Sequence, residues 1–196
     1  MISATTVPRY GVCSHATRRP REWLGEDDMI ALGKILVATD FGPAADAALD
    51  YGRALARTFG GSLQVLHITE DLLFRMTDAY GYGLLPTGAQ EDLERAALRQ
   101  TEALLRDDDR RELHATAVVF TSVNPATAIV DYARVHDVDL IVMGTHGRGT
   151  VTHFLMGSVA ERVVRTAPCP VLTVRESQKG FVRPDALVAV LREERV

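Results

Sequence analysis

Short apolar runs rich in β-branched residues alternate along this chain with longer segments in which apolar residues recur at helical spacing. The runs predict five strands, which in chain order cover residues 34–40, 62–69, 113–122, 139–144 and 171–174. The segments between them predict four helices, which cover residues 43–59, 90–106, 125–136 and 157–166. This alternation predicts an α/β fold with a doubly wound parallel sheet of five strands, because parallel neighbours need crossover connections.

Four segments fall outside this alternation. Residues 1–33 predict a loosely structured N-terminal extension, and residues 176–196 predict a C-terminal extension with a short helix. Residues 72–88 are rich in glycine and tyrosine and predict a loop. The run Asp107–Arg111 contains only charged residues and predicts a solvated turn. We therefore expect one domain, from residue 34 to residue 175.

The stretch from Asp139 to Ser158 combines a buried strand with a glycine-rich loop and a helix start. Three glycines follow the strand, and a fourth precedes a serine at the predicted start of the last helix: Gly144, Gly147, Gly149 and Gly157. Glycines let the backbone approach a bulky polyanion, and the N–H groups at a helix start attract negative charge. The alternative is a plain strand-to-helix connection, but such loops usually have about 2–6 residues. The stretch therefore predicts a phosphate-binding loop.

Asp40 lies at the end of the first predicted strand, as Gly144 lies at the end of the fourth. In doubly wound sheets, ligands bind beyond the carboxyl ends of the strands, where strand order reverses. If these two strands flank the reversal point, both residues face the same crevice. Asp40 could instead cap the first helix, and Met143 could be an ordinary apolar residue at a strand end. The position of Asp40 opposite the glycine-rich loop favours a ligand role.

Charge and cysteine content exclude several other classes of protein. The formal net charge is −4 with no basic stripe, which argues against nucleic-acid binding. No apolar run approaches the ~20 residues that span a bilayer, and the N-terminus lacks the apolar core of a secretory signal. Cys13 and Cys169 are the only cysteines and form no Cys-x-x-Cys pair, so we expect neither a disulfide framework nor a zinc site. A cytoplasmic setting is expected.

Motifs of common nucleotide-binding and hydrolytic enzymes are missing. The only Gly-Lys pair, Gly33-Lys34, is followed by isoleucine, whereas the P-loop requires a hydroxyl residue there. The dinucleotide fingerprint and the Gly-x-Ser-x-Gly elbow are also absent. His146 and His153 lie near the glycine-rich loop, but no carboxylate or nucleophile lies at an interpretable spacing from them. His67 is expected to be a hydrogen-bonded, partly buried histidine within a strand. The sequence favours binding over catalysis.

With these residues identified, the chain resembles the universal stress protein family over roughly residues 34–175. The spacing Gly144-x2-Gly147-x9-Gly157-Ser158 resembles the ATP-binding signature of that family. The blocks KILVATDF, VLHI, DLIVMGTHGR and APCPVLTV support the resemblance. One departure is Gly42, where the family often has a serine.

The resemblance implies the flavodoxin-like strand order 3-2-1-4-5, shared with the adenine nucleotide alpha hydrolase-like folds. It also implies a homodimer, often paired through the last strand. The implied ligand is ATP, commonly accompanied by magnesium or manganese. No nucleic-acid or membrane partner is implied, and an unidentified protein partner fits a regulatory role.

The resemblance further implies a nucleotide site built from four parts of the chain. The acidic residue at the end of strand one, Asp40, would contact the ribose and phosphate region, and Ile68 or Val65 of strand two would touch the adenine. Backbone N–H groups of the glycine-rich loop and the Ser158 hydroxyl would surround the phosphates. The candidate binding residues are Ala38, Thr39, Asp40, Val65, Ile68, Met143, Gly144, His146, Gly147, Arg148, Gly157, Ser158 and Val159.

These expectations lead to one functional hypothesis and two alternatives. ATP would act as a regulatory ligand that orders the loop from Thr145 to Met156 and so alters a surface for a partner. One alternative is a slow ATP hydrolase of the same fold. The other is a dimerisation module that binds no nucleotide.

Overall fold

The fold is described from a computed structural model, which places residues 30–75, 86–145 and 156–176. Within these ranges five strands form one parallel sheet, and in chain order they are β1 (Lys34–Thr39), β2 (Ser62–Thr69), β3 (Thr116–Thr121), β4 (Leu140–Gly144) and β5 (Val171–Val174). Their order across the sheet is β3-β2-β1-β4-β5, and every neighbouring pair is parallel. The predicted fold class and strand order are therefore confirmed.

Within the same ranges, five helices of six residues or more connect the strands: α1 (Pro43–Phe59), α2 (Ala89–Ala103), α3 (Asp107–Glu112), α4 (Pro125–Val135) and α5 (Ser158–Thr166). Pro43 and Pro125 each begin a helix, where the missing N–H group is not needed. Gly60 ends α1 with a left-handed φ of 64°, a conformation that costs glycine little. No helix in the described ranges is long and apolar enough to cross a bilayer.

Two apolar layers form the core, one on each face of the sheet. Ile35 and Val37 of β1 pack with residues of α1, whereas Leu36 and Ala38 of the same strand pack with residues of α4 and α5. Successive side chains of a strand point to opposite faces, so a strand covered on both sides must be apolar at every position. This explains the continuous apolar runs of β1 and β4, and it places the first and last helices on opposite faces.

The segment that was predicted to be a solvated turn is instead the short helix α3, so that prediction is wrong. Asp109 in this helix is fully buried. Its carboxylate accepts hydrogen bonds from Arg53 Nε at 2.8 Å, from an Arg57 guanidinium nitrogen at 3.2 Å and from the Arg106 N–H at 3.1 Å. Local sequence pointed to exposure because the two arginine side chains that satisfy Asp109 lie on α1, more than 50 residues earlier.

Strand β3 begins three residues later than the predicted start at Leu113. His114 has a left-handed φ of 46°, which interrupts an extended conformation. Leu113 and Ala115 are nevertheless buried with the α1 layer of the core. Their apolar character reflects this burial and not a place in the strand.

The ionisation of Tyr132 in α4 tests the packing of the core layer that contains α4 and α5. Its hydroxyl donates to Gln64 Oε1 at 3.1 Å, its ring stacks on His136 with centroids 4.1 Å apart, and burial raises its pKa from 10.0 to about 12. As the pH rises, the unfolded chain therefore loses the Tyr132 proton before the folded chain does. The part of the free energy of unfolding that depends on protonated Tyr132 is fully present below pH 10 and should disappear as the pH rises towards 12. In an absorbance titration of the five tyrosines, Tyr132→Phe should remove the last transition. Persistence of that transition in the variant would contradict this account.

Candidate functional site

A cleft of about 270 Å³ opens at the carboxyl ends of β1, β2 and β4. The chain leaves β1 towards α1 on one face of the sheet and leaves β4 towards α5 on the other face. The cleft therefore lies at the point where strand order reverses, which is where doubly wound folds bind ligands. The residues that line it are Ala38, Thr39, Asp40, Ala45, Leu66, His67, Ile68, Pro125, Ile129, Met143, Gly144, Thr145, Gly157, Ser158, Val159 and Ala160.

Nine of the thirteen candidate binding residues line this cleft. They come from four separate parts of the chain and are Ala38, Thr39, Asp40, Ile68, Met143, Gly144, Gly157, Ser158 and Val159. The sheet brings them together because β1 pairs with both β2 and β4 and all three strands end at the same edge. His146, Gly147 and Arg148 lie outside the described residues.

Val65 is the one described candidate that does not line the cleft. Its side chain is fully buried in the core layer that contains α1. Ile68 lies three positions later and therefore faces the opposite side, where it packs beside the α4 layer and reaches the cleft. Of the two residues considered for the adenine contact, the structure brings only Ile68 to the cleft.

Seven lining residues were not among the candidates: Ala45, Leu66, His67, Pro125, Ile129, Thr145 and Ala160. Pro125 and Ile129 belong to the first turns of α4, which follows the carboxyl end of β3. The rule that ligands bind at the carboxyl ends of strands could have identified Pro125, since it lies four residues after that end. Nothing in the local sequence singles out Ile129, which reaches the cleft through the packing of α4.

The turn that carries Asp40 is held by hydrogen bonds from its own side chains. Thr39 Oγ1 accepts from the Phe41 N–H, and Asp40 Oδ1 accepts from the Gly42 N–H, both at 3.0 Å. Gly42 is the N-cap residue of α1 and makes no side-chain capping bond. Asp40 therefore orders the turn before the helix, and it is not the N-cap residue that the alternative interpretation suggested.

The start of α5 forms the opposite wall of the cleft. Gly157 is its N-cap residue, with an extended backbone and no side-chain cap, and Ser158 is the first helical residue. The Gly157 N–H donates to the Thr145 carbonyl at 2.7 Å, and the Thr145 N–H donates to the Val174 carbonyl at 2.8 Å, which ties this helix start to β4 and β5. The first N–H groups of a helix carry partial positive charge, so this wall suits an anion.

Gly144 has a packing role that the sequence did not reveal. A Cβ atom there would lie 2.9 Å from Ala44 Cβ and 3.0 Å from the Ala44 carbonyl carbon. Both atoms belong to the first turn of α1, so a side chain at Gly144 would push that turn away from β4. The glycine is therefore required where α1 approaches β4, whether or not it also faces a ligand.

Gly144→Ala is accordingly expected to lower the free energy of unfolding by about 1–3 kcal/mol, because the contact is with backbone as well as side chain. Urea denaturation measures this change. The matched control is Gly33→Ala, whose Cβ would meet nothing closer than Asp139 Oδ2 at 3.4 Å, and it should stay within about 0.5 kcal/mol of the parent. Equal effects of the two variants would show that the close approach of α1 is unimportant.

Chemical groups that could act as acid or base are few in the described lining. Asp40 and His67 are the residues with a carboxylate or an imidazole there. Within residues 30–75, 86–145 and 156–176, no group of three or more His, Cys, Asp or Glu side chains is placed to hold a metal ion. The described part of the cleft therefore provides binding surfaces and no preassembled metal centre.

Comparison with known proteins gives a consistent result. The family model for the universal stress protein family matches residues 32–175. A universal stress protein of Thermus aquaticus is 36% identical over 141 residues, covering 72% of this chain and 97% of the relative. A solved structure from the same family from Burkholderia pseudomallei is 28% identical with a TM-score of 0.56, covering 73% of this chain and 96% of that one. The structure of a universal stress protein from Archaeoglobus fulgidus in complex with dAMP is 23% identical, with a TM-score of 0.50 and coverage of 74% and 99%, and it supports the fold.

Proposed function

The chain belongs to the universal stress protein family, and we propose that it binds ATP in the cleft at the carboxyl ends of β1, β2 and β4. The nucleotide would act as a regulatory ligand in a stress response. The observation that carries this proposal is the convergence, in one cleft, of apolar walls, a carboxylate and an uncapped helix start.

The apolar part of the cleft suits a flat base. Leu66 and Ile68 of β2, Ile129 of α4 and Met143 of β4 all contribute to its walls. Ligand pockets are typically apolar with a few placed polar groups, and aliphatic side chains pack well against an aromatic ring. We therefore place the adenine between the ends of β2 and β4.

The polar part of the cleft suits the sugar and the phosphates. Asp40 can accept hydrogen bonds from ribose hydroxyl groups, which are donors of the kind that a carboxylate prefers. At the opposite wall, the backbone of Gly157, Ser158 and Val159 lies at the start of α5. These N–H groups, with the Ser158 hydroxyl, would bind the phosphates.

A divalent ion would be bound together with the phosphates. Magnesium is often held by one or two carboxylates plus phosphate oxygens and water. Asp40 is the carboxylate in the described lining that could serve in this way. This donor set therefore fits magnesium or manganese as a companion of the triphosphate.

A regulatory role is favoured over hydrolysis by the chemistry of the cleft. Asp40, the carboxylate of the described lining, is hydrogen-bonded within the turn before α1. Residues 146–155, which we expect to contact ATP and a partner protein, lie outside the described residues. We expect no sustained phosphate release from ATP by the purified chain. A steady turnover that disappears in Asp40→Ala would favour the hydrolase alternative.

A homodimer paired through β5 is part of this proposal. This strand lies at the edge of the described sheet, next to β4. Its residues Val171 and Leu172 are half-buried and pack beside the two core layers. An edge strand offers backbone groups that a second copy can pair with, and sedimentation velocity should show twice the mass of one chain.

The cytoplasmic setting stays a prediction.

The experiment that tests nucleotide binding starts from protein purified gently, without added nucleotide. The protein is denatured, and the small molecules that it releases are identified by mass spectrometry. ATP or another adenine nucleotide in near-stoichiometric amount would support the proposal. An empty protein that also fails to take up added ATP would favour the nucleotide-free dimerisation module.

A further inference from the structure

His67 lies at the edge of the cleft and contacts the residues on both sides of Asp40. We propose that His67 is a positioning residue for nucleotide binding, which fixes the turn of Thr39, Asp40 and Phe41 so that the Asp40 carboxylate faces the ligand. This inference rests on the proposed function, because it concerns the affinity of the same cleft for ATP.

The first contact is a hydrogen bond to the backbone before Asp40. His67 is paired in register with Thr39, the last residue of β1, and its Nδ1 lies 2.8 Å from the Thr39 carbonyl oxygen. A carbonyl oxygen accepts, so Nδ1 carries the hydrogen in this arrangement. The imidazole therefore holds the end of β1 from the side of β2.

The second contact is with the residue after Asp40. The ring of His67 packs on the ring of Phe41, with centroids 4.3 Å apart and an interplanar angle of 36°. Offset and tilted contacts between aromatic rings are favourable. His67 thus contacts both neighbours of Asp40 in the chain, although its contacts come from a different strand.

Phe41 is the reason that this turn needs to be held. Its φ is 62°, in the left-handed region that bulky side chains avoid. Asp137 also has a positive φ, of 52°, but aspartate tolerates this region far better than phenylalanine does. A disfavoured backbone conformation persists only where its surroundings enforce it, and such positions cluster at ligand sites.

The geometry of the turn links this conformation to the cleft. With Phe41 in the left-handed region, its N–H donates to Thr39 Oγ1 and the Gly42 N–H donates to Asp40 Oδ1. Asp40 and His67 both line the cleft. If the turn relaxed to an ordinary conformation, ATP would have to restore it on binding, and the apparent affinity would fall.

The test compares ATP affinities by calorimetry for the full chain and two variants. His67→Leu keeps a similar volume but removes the donor and the aromatic ring, and it should bind ATP about tenfold more weakly. His67→Asn keeps an amide donor close to the position of Nδ1 and should recover part of that loss. Thermal denaturation of each free variant shows whether it is folded.

A thermodynamic cycle with Asp40→Ala separates positioning from a general structural role. If His67 acts through Asp40, then His67→Leu should cause little further loss of ATP affinity when Asp40 is already alanine. An equal loss in both backgrounds, or no loss in either, would overturn the inference. Failure of the unmodified chain to bind ATP would instead overturn the proposed function and this inference with it.

Discussion

Asp109→Asn is expected to lower the free energy of unfolding by about 3–5 kcal/mol, as is usual when one partner of a buried ion pair is removed. The Asp109 side chain is 0% exposed and that of Arg53 only 7%. Without the carboxylate charge, the Arg53 Nε faces a neutral amide in the buried interior, and the guanidinium keeps its pair with the exposed Asp50 carboxylate at 3.0 Å. The start of α3 is also weakened, because Asp109 accepts from the Arg106 N–H in the capping arrangement of that helix. Urea denaturation measures the change.

The neighbouring Asp108→Asn is the matched control for this prediction. Asp108 is also in the first turn of α3, but it pairs with Arg111 on the surface, where both side chains are more than half exposed. Surface pairs of this kind contribute about 0–1 kcal/mol. If the two aspartate variants were equally mild, the buried pair would not be what holds α3 to α1. Replacing Arg53 and Asp109 together with apolar residues should recover much of the loss.

Asp40→Ala is expected to weaken ATP binding by about tenfold to a hundredfold, the range that follows from losing a hydrogen bond to a charged group. The physical reason is that Asp40 is the one carboxylate in the described cleft lining and faces the proposed position of the ribose. The ATP affinity of Asp40→Asn should lie between those of the unmodified chain and Asp40→Ala, because its amide oxygen can still accept from the Gly42 N–H. Calorimetric titration with ATP and magnesium gives the affinities.

Asp46→Ala serves as the control for Asp40→Ala. The Asp46→Ala substitution removes the same charge as Asp40→Ala. Asp46 lies in the first turn of α1, but it is exposed and does not line the cleft. Its replacement should leave ATP affinity within about twofold, since an exposed charge interacts with the nucleotide only through water and is weakened by salt. If both variants lost affinity equally, the effect would come from net charge and not from a contact between Asp40 and the nucleotide.

The strands were predictable because each is a short run of mostly apolar residues, which is continuous in β1 and β4, the strands covered on both faces. Residues 62–69 and 171–174 match the observed β2 and β5. The place of Asp40 and Gly144 at one edge follows from topology alone, since all strands of a parallel sheet end at the same side. Gly157 and Ser158 were placed correctly at the start of α5 for a similar reason, because a glycine and a hydroxyl preceded a helical stripe.

What the sequence could not reveal depends on contacts between distant segments. Asp109 looked solvated because Arg53 is far away along the chain, and only the fold brings the two together. Val65 was a candidate because it is near the end of β2, but its position in the strand points it to the opposite face from Ile68. His67 was expected to be a hydrogen-bonded, partly buried histidine. Its contact with Phe41 depends on a left-handed backbone conformation at Phe41, which no residue pattern predicts.

A structure of this chain crystallised with ATP and magnesium tests the central claim most directly. The adenine should lie between Ile68 and Met143, the ribose should contact Asp40, and the phosphates should meet the backbone at Gly157 and Ser158. Nucleotide bound elsewhere, or a cleft occupied by the protein's own side chains at saturating ATP, would contradict the account.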